Sequence, residues 1–328
     1  MTVSVGDSPR RRVLVTGANG FVGSAVVDSF VRSGTAVTAA VRRSAMMPVG
    51  VRVVTVGDID GTTDWTDALR GCDAVVHLAA RVHVLHDHVA DPLGSYRAVN
   101  VDGTLALARQ ASAAGAKRFI FLSSIKVNGE ATRPARPFQE TDAPAPTDAY
   151  GISKHEAECG LLALAQRTGM EVVIIRPPLI YGPGVRANFL SMARWLSRGI
   201  PLPLGALHDN RRSLLGLDNL VDLLRVCLHH PAAANQLFLA ADGADLSTTE
   251  LLRRTANALG VRTRLIPVPA RLLAAGAAIL GKRAVFQRLC GSLQVDIGKA
   301  ERVLGWRPPV SVDEGLVRAV RTLRARTT

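Results

Sequence analysis

A tyrosine and a lysine four positions apart have the clearest chemical potential in the sequence. Tyr150 and Lys154 lie in a stretch of helical character, where side chains at positions i and i+4 share one face. A phenol ordinarily ionises near pH ~10, and a neighbouring ammonium group lowers this pKa by stabilising the phenolate. We therefore expect Lys154 to lower the pKa of Tyr150, which would act as a general acid toward a carbonyl or as a general base toward an alcohol.

Two serines earlier in the chain complete this set. Ser123 and Ser124 stand at the end of residues 119–123, which have the composition of a buried strand. A hydroxyl at a strand end can hydrogen-bond a substrate oxygen while charge develops on it. We assign this role to Ser124 rather than Ser123, so the predicted catalytic residues are Ser124, Tyr150 and Lys154.

Three glycines near the amino end of the chain are spaced three residues apart. Gly17, Gly20 and Gly23 lie at a predicted strand-to-helix junction. Such glycines allow a tight turn, let the backbone approach a pyrophosphate and let the helix pack close to the strand. The N–H groups at the start of the helix, near Phe21 and Val22, can then face the anion. The loop therefore predicts a dinucleotide site.

The end of the second predicted strand indicates which dinucleotide is bound. NAD-specific sites usually place an acid there to accept hydrogen bonds from the ribose, but residues 29–57 contain no acid. Arg42 and Arg43 stand there instead, and a guanidinium can hold a 2′-phosphate by two hydrogen bonds. This pattern favours NADP(H), with NAD(H) as the other option; the alternative is that both arginines are solvated surface residues. Asp58 and Ile59 are placed to contact the adenine.

Repeated strand–helix–strand units must position these groups. Near-continuous apolar runs predict buried parallel strands, and segments between several of them have the length and pattern of helices. A glycine follows each of these helical segments, as is common at helix ends. The fold class is therefore α/β, with a Rossmann-type, doubly wound parallel sheet. The predicted strands are 13–16, 37–41, 51–56, 74–78, 119–123 and 172–176, and the predicted helices between them are 21–32, 93–114 and 150–167.

The pattern of the chain changes after Pro177 and Pro178. Further prolines interrupt it, and shorter helical patterns follow. We predict a dinucleotide-binding Rossmann domain over residues 1–177, which includes the helix of Tyr150. Residues 178–328 are predicted to form mainly a smaller, mixed α/β substrate-binding lobe, from which some segments can return to the Rossmann sheet.

Composition and charge exclude several classes of protein. Apolar residues make up 48% and charged residues 20% of the 328 residues, which excludes a disordered or fibrous chain. The net charge of +13 comes from scattered basic residues without interleaved aromatics, so nucleic acid is not an expected partner. The longest apolar run, residues 272–280, is about half of a bilayer crossing, so no integral membrane span is expected. With no signal peptide and four widely separated cysteines, the expected compartment is the cytoplasm.

Short motifs recur in a fixed order along nearly the whole chain. They are TGANGFVG at 16–23, HLAA at 77–80, VN at 99–100, FLSS at 121–124, YGISK at 150–154, RPPLIYGPG at 176–184, RSLLGLDNL at 212–220, and DIGKA through LGW at 296–306. Together they resemble the extended short-chain dehydrogenase/reductases. More narrowly, the chain resembles the NAD-dependent epimerase/dehydratase family, which works on nucleotide sugars.

The resemblance implies roles for further residues. Arg212 would face the nucleotide or diphosphate of a UDP-sugar, with Asn188 and Asp296 as further substrate-binding candidates. Tyr150 and Lys154 would contact the cofactor as well as the substrate, and the family's members suggest a homodimer. The residues implied to line the nicotinamide half of the cofactor are Ala79, Ala80, Asn100 and Pro177, and Leu78 is a further cofactor-binding candidate.

Three features depart from the family pattern or compete with it. Lys126 stands two residues after Ser124 and could reach the substrate; the alternative is a loop lysine in solvent. Leu179 replaces an asparagine found in many relatives, which removes a polar contact to the substrate. A histidine run follows the HLAA motif, but no acidic cage surrounds it and the family needs no metal, so no metal site is expected. The run consists of His83, His86 and His88.

These features predict an NAD(P)-dependent oxidoreductase acting at C4 of a UDP-sugar. An epimerase keeps its cofactor, whereas a reductase draws on an NADPH pool. Arg42 and Arg43 therefore favour 4-keto reduction of a UDP-4-keto-6-deoxy-N-acetylhexosamine. The alternatives are a UDP-glucose or UDP-hexose 4-epimerase, a ketoreductase resembling 3β-hydroxysteroid dehydrogenases or dihydroflavonol reductases, and a non-catalytic NADP(H) sensor. The presence of both Tyr150 and Lys154 argues against the sensor.

Overall fold

The strands of the chain form one large and one small parallel sheet. The structure, a computed structural model, describes residues 11–82, 91–133, 135–185, 188–281 and 283–324. The strands are β1 Arg12–Thr16, β2 Ala36–Val41, β3 Arg52–Thr55, β4 Ala74–His77, β5 Arg118–Leu122, β6 Glu171–Arg176, β7 Leu179–Tyr181, β8 Leu214–Gly216 and β9 Leu237–Leu239. The large sheet has the order β3-β2-β1-β4-β5-β6-β9, and β7 pairs with β8. The order reverses beside β1, which creates a crevice at the carboxyl ends of β1 and β4 where such folds bind ligands.

Burial explains why these strands have almost no polar side chains. Val13, Leu14 and Val15 of β1 are fully buried, as are Val75 and Val76 of β4. A parallel sheet covered by helices on both faces leaves no solvated side for polar residues. The first six strands begin and end within one residue of the predicted bounds. The predicted Rossmann-type α/β fold is confirmed.

The helices of the first half are α1 Phe21–Arg32, α2 Thr66–Leu69, α3 Pro92–Arg97, α4 Thr104–Ala113 and α5 Ala149–Thr168. Two of them correspond closely to prediction, but the helix predicted over 93–114 is interrupted. A π-helical turn, Ala98–Gly103, separates α3 from α4. Insertions of this kind are frequent at functional sites, because the extra residue turns one side chain inward. Here the buried side chain in the turn is Asn100.

The described residues divide into two compact units. Unit 1 comprises the described residues of Met1–Val127 together with Pro146–Arg176 and Leu224–Leu237. Its core lies between the sheet and the helices, and is built around large apolar side chains that include Trp65, Leu107, Phe119 and Leu161. This core holds the strand ends on which most of the predicted site residues stand.

Unit 2 comprises Asn128–Ala145, Pro177–Leu223 and the described residues of Phe238–Thr328. Its core contains Tyr181, Phe189, Leu252 and Leu316. In the described ranges, no helix of the chain is long and apolar enough to cross a bilayer. The helices of the second half are α6 Asn188–Ser197, α7 Leu217–His229, α8 Thr248–Leu259, α9 Ala270–Ile279, α10 Arg283–Cys290, α11 Gly298–Leu304 and α12 Val312–Arg324.

The described residues of 128–145 group with unit 2 rather than with unit 1, and they lie within the range predicted for the Rossmann domain. The Thr132 N–H donates to the Ser292 carbonyl at 2.8 Å. Phe138 exchanges backbone hydrogen bonds with Gln294 and Asp296 at 2.9 and 3.0 Å. These pairings join segments about 160 positions apart along the chain, and such long-range pairing leaves no local pattern in the sequence.

Candidate active site

The glycine loop between β1 and α1 lacks room for side chains. Gly17 has φ +62°, and a Cβ there would lie 2.9 Å from the Ala79 nitrogen. A Cβ on Gly23 would lie 2.0 Å from the Gly17 carbonyl oxygen. Gly20, the residue before the helix, is exposed and supplies no side-chain cap to α1. The first N–H groups of α1 therefore have no side-chain acceptor and can meet an anion.

A buried chain of hydrogen bonds positions the loop that faces Gly17. The Thr16 hydroxyl lies 2.7 Å from Nδ1 of His77, and Nε2 of His77 lies 2.9 Å from the Thr104 hydroxyl. The same Thr16 oxygen accepts hydrogen bonds from the N–H groups of Leu78 and Ala79, both at 3.1 Å. Burial lowers the pKa of His77 to about 3, so the imidazole is neutral. This chain holds Ala79 against the glycine turn.

The crevice fits a dinucleotide. A turn that admits no Cβ, an uncapped helix amino terminus and the adjacent backbone of residues 78–80 form the kind of surface that a pyrophosphate requires. Leu78, Ala79 and Ala80 are partly exposed beside this turn. Phe21 and Val22 begin α1 and are also partly exposed.

The basic residues after β2 have an acidic neighbour. Nη1 of Arg42 lies 3.6 Å from a carboxylate oxygen of Asp58, and both side chains are largely exposed. Arg43 is exposed as well. Ile59 packs against the core of unit 1, where its side chain contacts the backbone near Gly103. The second strand is therefore followed by a cation that already has a carboxylate partner.

Tyr150 lies at the start of α5, with the Ser124 hydroxyl near enough to act on its phenol. Its ring packs edge-on against Tyr96, with 6.2 Å between the ring centroids. Desolvation raises the pKa of Tyr150 to about 12. The expectation that Lys154 lowers this pKa is wrong for the structure, because desolvation of the phenol is the largest influence and only the Ser124 hydroxyl opposes it.

Lys154 is buried one helical turn after Tyr150, with 2% of its surface exposed. Its ammonium group lies 4.1 Å from the centroid of the Phe121 ring. Burial lowers the pKa of Lys154 to about 7, although the nearby Glu158 carboxylate acts in the opposite direction. A buried amine with a pKa near neutrality can carry or release a proton at physiological pH.

An ion pair beneath the site explains why Ser123 and Ser124 differ in their burial and their contacts. Both carboxylate oxygens of Glu158 accept hydrogen bonds from Arg176, at 2.9 and 2.5 Å. Ser123 donates its hydroxyl hydrogen to Glu158 at 2.5 Å and is buried. Ser124 is partly exposed and lies near Tyr150. The geometry thus leaves Ser124 free to act beside the phenol of Tyr150, whereas Ser123 belongs to the ion-pair network beneath it.

Asn100, predicted to line the nicotinamide half of the cofactor, is 1% exposed and joins three segments. Its Oδ1 accepts from the Arg81 N–H at 2.9 Å. Its Nδ2 donates to the Arg81 carbonyl and to the Ser153 hydroxyl, both at 3.0 Å. Asn100 therefore fixes the loop after β4 against α5 through protein partners.

Lys126, a predicted substrate contact, is held at the start of α5. Its ammonium group forms an ion pair with the Asp148 carboxylate. Asp148 caps α5 by accepting a hydrogen bond from the Gly151 N–H at 2.7 Å. Both side chains are about one-quarter exposed. The structure therefore places Lys126 as a support for the helix that carries Tyr150.

The remaining predicted residues belong to unit 2. Nη1 of Arg212 donates to the Gly291 carbonyl at 3.1 Å, and desolvation lowers the pKa of this guanidinium. Asp296 accepts hydrogen bonds from the Gly298 N–H at 2.7 Å and from Gln139 at 3.2 Å. Asn188 is the first residue of α6, and Pro177 is buried just after β6. His83, His86 and His88 lie outside the described residues; within them, no group of three metal-ligating side chains occurs.

Sequence reasoning missed the residues that support the site from below. The motifs at 77–80 and 150–154 contain His77 and Ser153, but nothing in the sequence indicates what these side chains contact. Glu158 and Arg176 are separated by 18 positions and read as ordinary charged residues until folding buries them together. A charged residue inside an otherwise apolar strand, as Arg176 is at the end of β6, is the one available signal of such a pair.

Comparison with known proteins decides the family. The profile of the NAD dependent epimerase/dehydratase family matches residues 13–239, which is more than half of the chain. The chain belongs to this family. The predicted resemblance is therefore confirmed, and the protein is an enzyme of the short-chain dehydrogenase/reductase type.

Individual members of the epimerase/dehydratase family match over nearly the whole chain. A UDP-glucose 4-epimerase from Vibrio cholerae is 49% identical over 306 residues, which cover 93% of each chain. The structure of MoeE5 in complex with UDP-glucose and NAD has a TM-score of 0.75 and 27% identity, and covers 97% of this chain and 100% of that one. A UDP-glucose 4-epimerase from Thermotoga maritima, solved with UDP-glucose, has a TM-score of 0.76 at 22% identity, with coverage of 97% and 100%. The last of these supports the fold alone.

Proposed function

We propose that this protein is a UDP-hexose 4-epimerase that retains a nicotinamide dinucleotide. The observation that carries the proposal is the placement of Tyr150 and the buried Lys154 one turn apart on α5, near Ser124 at the end of β5. The UDP-glucose 4-epimerase of Vibrio cholerae, at 49% identity, supports the choice of an epimerase over the 4-keto reduction favoured by the sequence analysis. A UDP-hexose carries a hydroxyl group at C4. A single acid–base group such as Tyr150 can remove and return the proton of this hydroxyl.

Tyr150 and Ser124 have separate roles in the proposed reaction. Tyr150 takes the proton from the C4 hydroxyl as a general base and later returns it as a general acid. Ser124 donates a hydrogen bond to the same sugar oxygen while charge develops on it. When bound, the nicotinamide ring supplies the acceptor and donor of the C4 hydride. Between the two transfers the sugar is a 4-ketone, which must turn its opposite face before C4 is reduced with inverted configuration.

We expect Lys154 to support this proton exchange once a cofactor is bound. Burial raises the pKa of Tyr150 to about 12 and lowers that of Lys154 to about 7. A proton on Lys154 places a positive charge one helical turn from the phenol, and this charge favours the phenolate. Phosphates and ribose hydroxyls of a bound dinucleotide would stabilise the ammonium form. Binding of the cofactor is therefore expected to activate Tyr150.

The direct test uses purified protein without added cofactor. We expect it to interconvert UDP-galactose and UDP-glucose, with the product measured by anion-exchange chromatography. Tyr150→Phe is the inactive comparison, and Ser123→Ala, whose hydroxyl faces Glu158, is the matched serine control for Ser124→Ala. Absence of conversion of any UDP-hexose, together with NADPH consumption on a UDP-4-keto sugar, would refute the epimerase proposal.

The 4-keto reductase is the second candidate, and it comes with the predicted preference for NADP(H). Arg42 and Arg43 support it, because guanidinium groups after the second strand can bind a 2′-phosphate. The Arg42–Asp58 ion pair at 3.6 Å weighs against it, since the carboxylate already neutralises one of these cations. Affinities for NADH and NADPH, measured for wild type and for Arg42→Ser, separate the two. A strong NADPH preference that Arg42→Ser abolishes would support the reductase.

The substrate's nucleotide is assigned to unit 2. Arg212 is the candidate for its diphosphate, since it is the only guanidinium that the family motif at 212–220 carries, and its charge is partly desolvated. We expect UDP alone to raise the melting temperature of the protein, and Arg212→Met to weaken this effect. A homodimer, suggested by the resemblance, is testable by sedimentation velocity.

A further inference from the structure

An apolar helix of unit 2 has no buried residue. α9 consists of alanine, leucine and isoleucine with one arginine and one glycine, and none of its side chains is buried. Leu272 is 63% exposed, Ile279 is 86% exposed, and the adjoining Leu280 is 70% exposed. Other residues of the helix, such as Leu273 and Ala277, are only partly exposed. A helix of a globular protein normally buries its apolar stripe, so an apolar face that stays exposed marks an interaction site.

The exposed apolar residues lie on one face of α9. Leu272, Ala275 and Ile279 are spaced i, i+3 and i+7, which places them on one side of the helix, and all three are exposed. Ile266, shortly before the helix, is 50% exposed. Leu289, on the α10 helix that packs against α9, is 39% exposed. The exposed apolar surface therefore extends beyond a single side chain.

The segment around α9 is basic, although its Arg254 is already paired with the carboxylates of Glu250 and Asp313. Residues 251–295 contain eight arginines and lysines and no aspartate or glutamate. Arg262, Arg264 and Arg271 are exposed in the described part of this segment. Basic residues that flank an exposed apolar face are the pattern of a helix that lies in the interface of an anionic membrane.

We propose that α9 and its basic flanks dock this enzyme on a bilayer surface rich in anionic phospholipid. Leucine and isoleucine side chains enter the boundary between headgroups and acyl chains, while the arginines remain among the lipid phosphates. A second copy of the chain is a poorer occupant, because a symmetric contact would bring two acid-free basic segments together. Nucleic acid is also a poorer one, because α9 carries no aromatic side chain on which a base could stack. The proposal is independent of the sugar chemistry.

The test is co-sedimentation of the full-length protein with lipid vesicles. Vesicles of phosphatidylcholine alone are compared with vesicles that also contain phosphatidylglycerol. We expect binding to the anionic vesicles to be at least about ten-fold tighter, and to weaken as salt is added. Leu272→Gln/Ile279→Gln is expected to reduce that binding by at least about ten-fold.

A matched control distinguishes binding through this face from non-specific binding through any exposed apolar side chain. Met46→Gln/Val49→Gln removes two apolar side chains of unit 1 that are 101% and 97% exposed, and should bind vesicles as wild type does. Arg262→Gln/Arg264→Gln keeps the apolar face, and should lose the preference for phosphatidylglycerol. All three variants should retain the wild-type rate on a UDP-hexose, or, if the protein proves not to be an epimerase, the wild-type melting temperature.

Three results would overturn the proposal. One is equal binding to both vesicle types. Another is an equal loss of binding in the Met46→Gln/Val49→Gln control. The third is a smaller sedimenting species for Leu272→Gln/Ile279→Gln in the absence of lipid, which would identify this face as a contact between copies of the chain.

Discussion

Tyr181 of unit 2 and Tyr150 of unit 1 both have desolvated hydroxyls, but the two are surrounded very differently. In unit 2, Tyr181 donates to Asp242 at 2.8 Å. The other oxygen of Asp242 accepts from the Gly216 N–H and from Asn219, both at 2.7 Å. Asn219 in turn exchanges two hydrogen bonds with the Val310 backbone. In unit 1, the phenol of Tyr150 lies near Ser124, a partly exposed hydroxyl that can also face a ligand.

The difference shows how burial can serve stability in one place and reactivity in another. The pKa values of both phenols are raised by desolvation, so the direction of the shift does not distinguish them. What distinguishes them is the neighbouring group. An acidic partner that raises the pKa further fixes Tyr181 as a permanent donor, whereas a buried amine one turn from Tyr150 offers a charge that can favour the phenolate.

The largest expected effect is on catalysis. Tyr150→Phe should reduce the epimerisation rate by about 10²–10⁴-fold, the usual contribution of a general acid–base group. Its free energy of unfolding should change by less than about 1 kcal/mol, because the lost hydroxyl has one hydroxyl partner. Steady-state kinetics and urea unfolding measure the two quantities. A variant that keeps more than a tenth of the rate would break the distinction between the two tyrosines.

A further expected effect is a lower free energy of unfolding caused by the burial of Lys154. The pKa of Lys154 is about 7 in the folded, cofactor-free protein and near 10.5 when unfolded, so between these values the unfolded chain holds the extra proton. The free energy of unfolding should therefore rise with pH across this window. Lys154→Met should remove that rise and be more stable than wild type at pH 7, by up to about 4 kcal/mol at ~1.36 kcal/mol per pH unit. Urea unfolding at pH 7 and pH 10 of protein stripped of bound dinucleotide measures it; a parallel pH dependence of the two proteins would contradict the low pKa.

Tyr181→Phe in unit 2 should have the opposite effects to Tyr150→Phe, with a loss of stability and little change in the reaction rate. Tyr181→Phe leaves the buried Asp242 without one of its donors and should cost about 1–3 kcal/mol in the free energy of unfolding. The epimerisation rate at a temperature where both proteins are folded should remain within two-fold of wild type. Thermal and urea unfolding beside the activity assay provide the comparison with Tyr150→Phe. A large catalytic defect without a loss of stability would assign Tyr181 a role in the reaction.

The smallest expected effect comes from His77. Its pKa is about 3 in the folded protein and near 6.5 when unfolded, so the unfolded chain binds the extra proton between these values and stability is lost as the pH falls. Between pH 7 and pH 5.5 this one group should lower the free energy of unfolding by about 1 kcal/mol. His77→Asn should show a flatter pH dependence in that range. An unchanged slope would mean that His77 is protonated in the folded state.

Prediction from sequence succeeded where the determinant is local. Buried parallel strands are continuous apolar runs, so their bounds could be predicted within one residue, and the glycine spacing indicated the turn at Gly17. The π-helical turn at Ala98–Gly103 could not be predicted, because it is held by contacts of Asn100 with segments 19 and 53 residues away. The pKa of Tyr150 was predicted in the wrong direction for a related reason. Proximity to Lys154 is visible in the sequence, whereas desolvation depends on everything that packs around the ring.

The 2.0 Å between a hypothetical Cβ at position 23 and the Gly17 oxygen has a practical consequence for protein engineers. Even the smallest replacement at Gly23 would push α1 away from the turn that it closes. In libraries that randomise position 23, most variants will therefore have a disrupted contact between α1 and the turn. The exposed side chains of Arg42, Arg43 and Asp58, by contrast, can be replaced without disturbing the core.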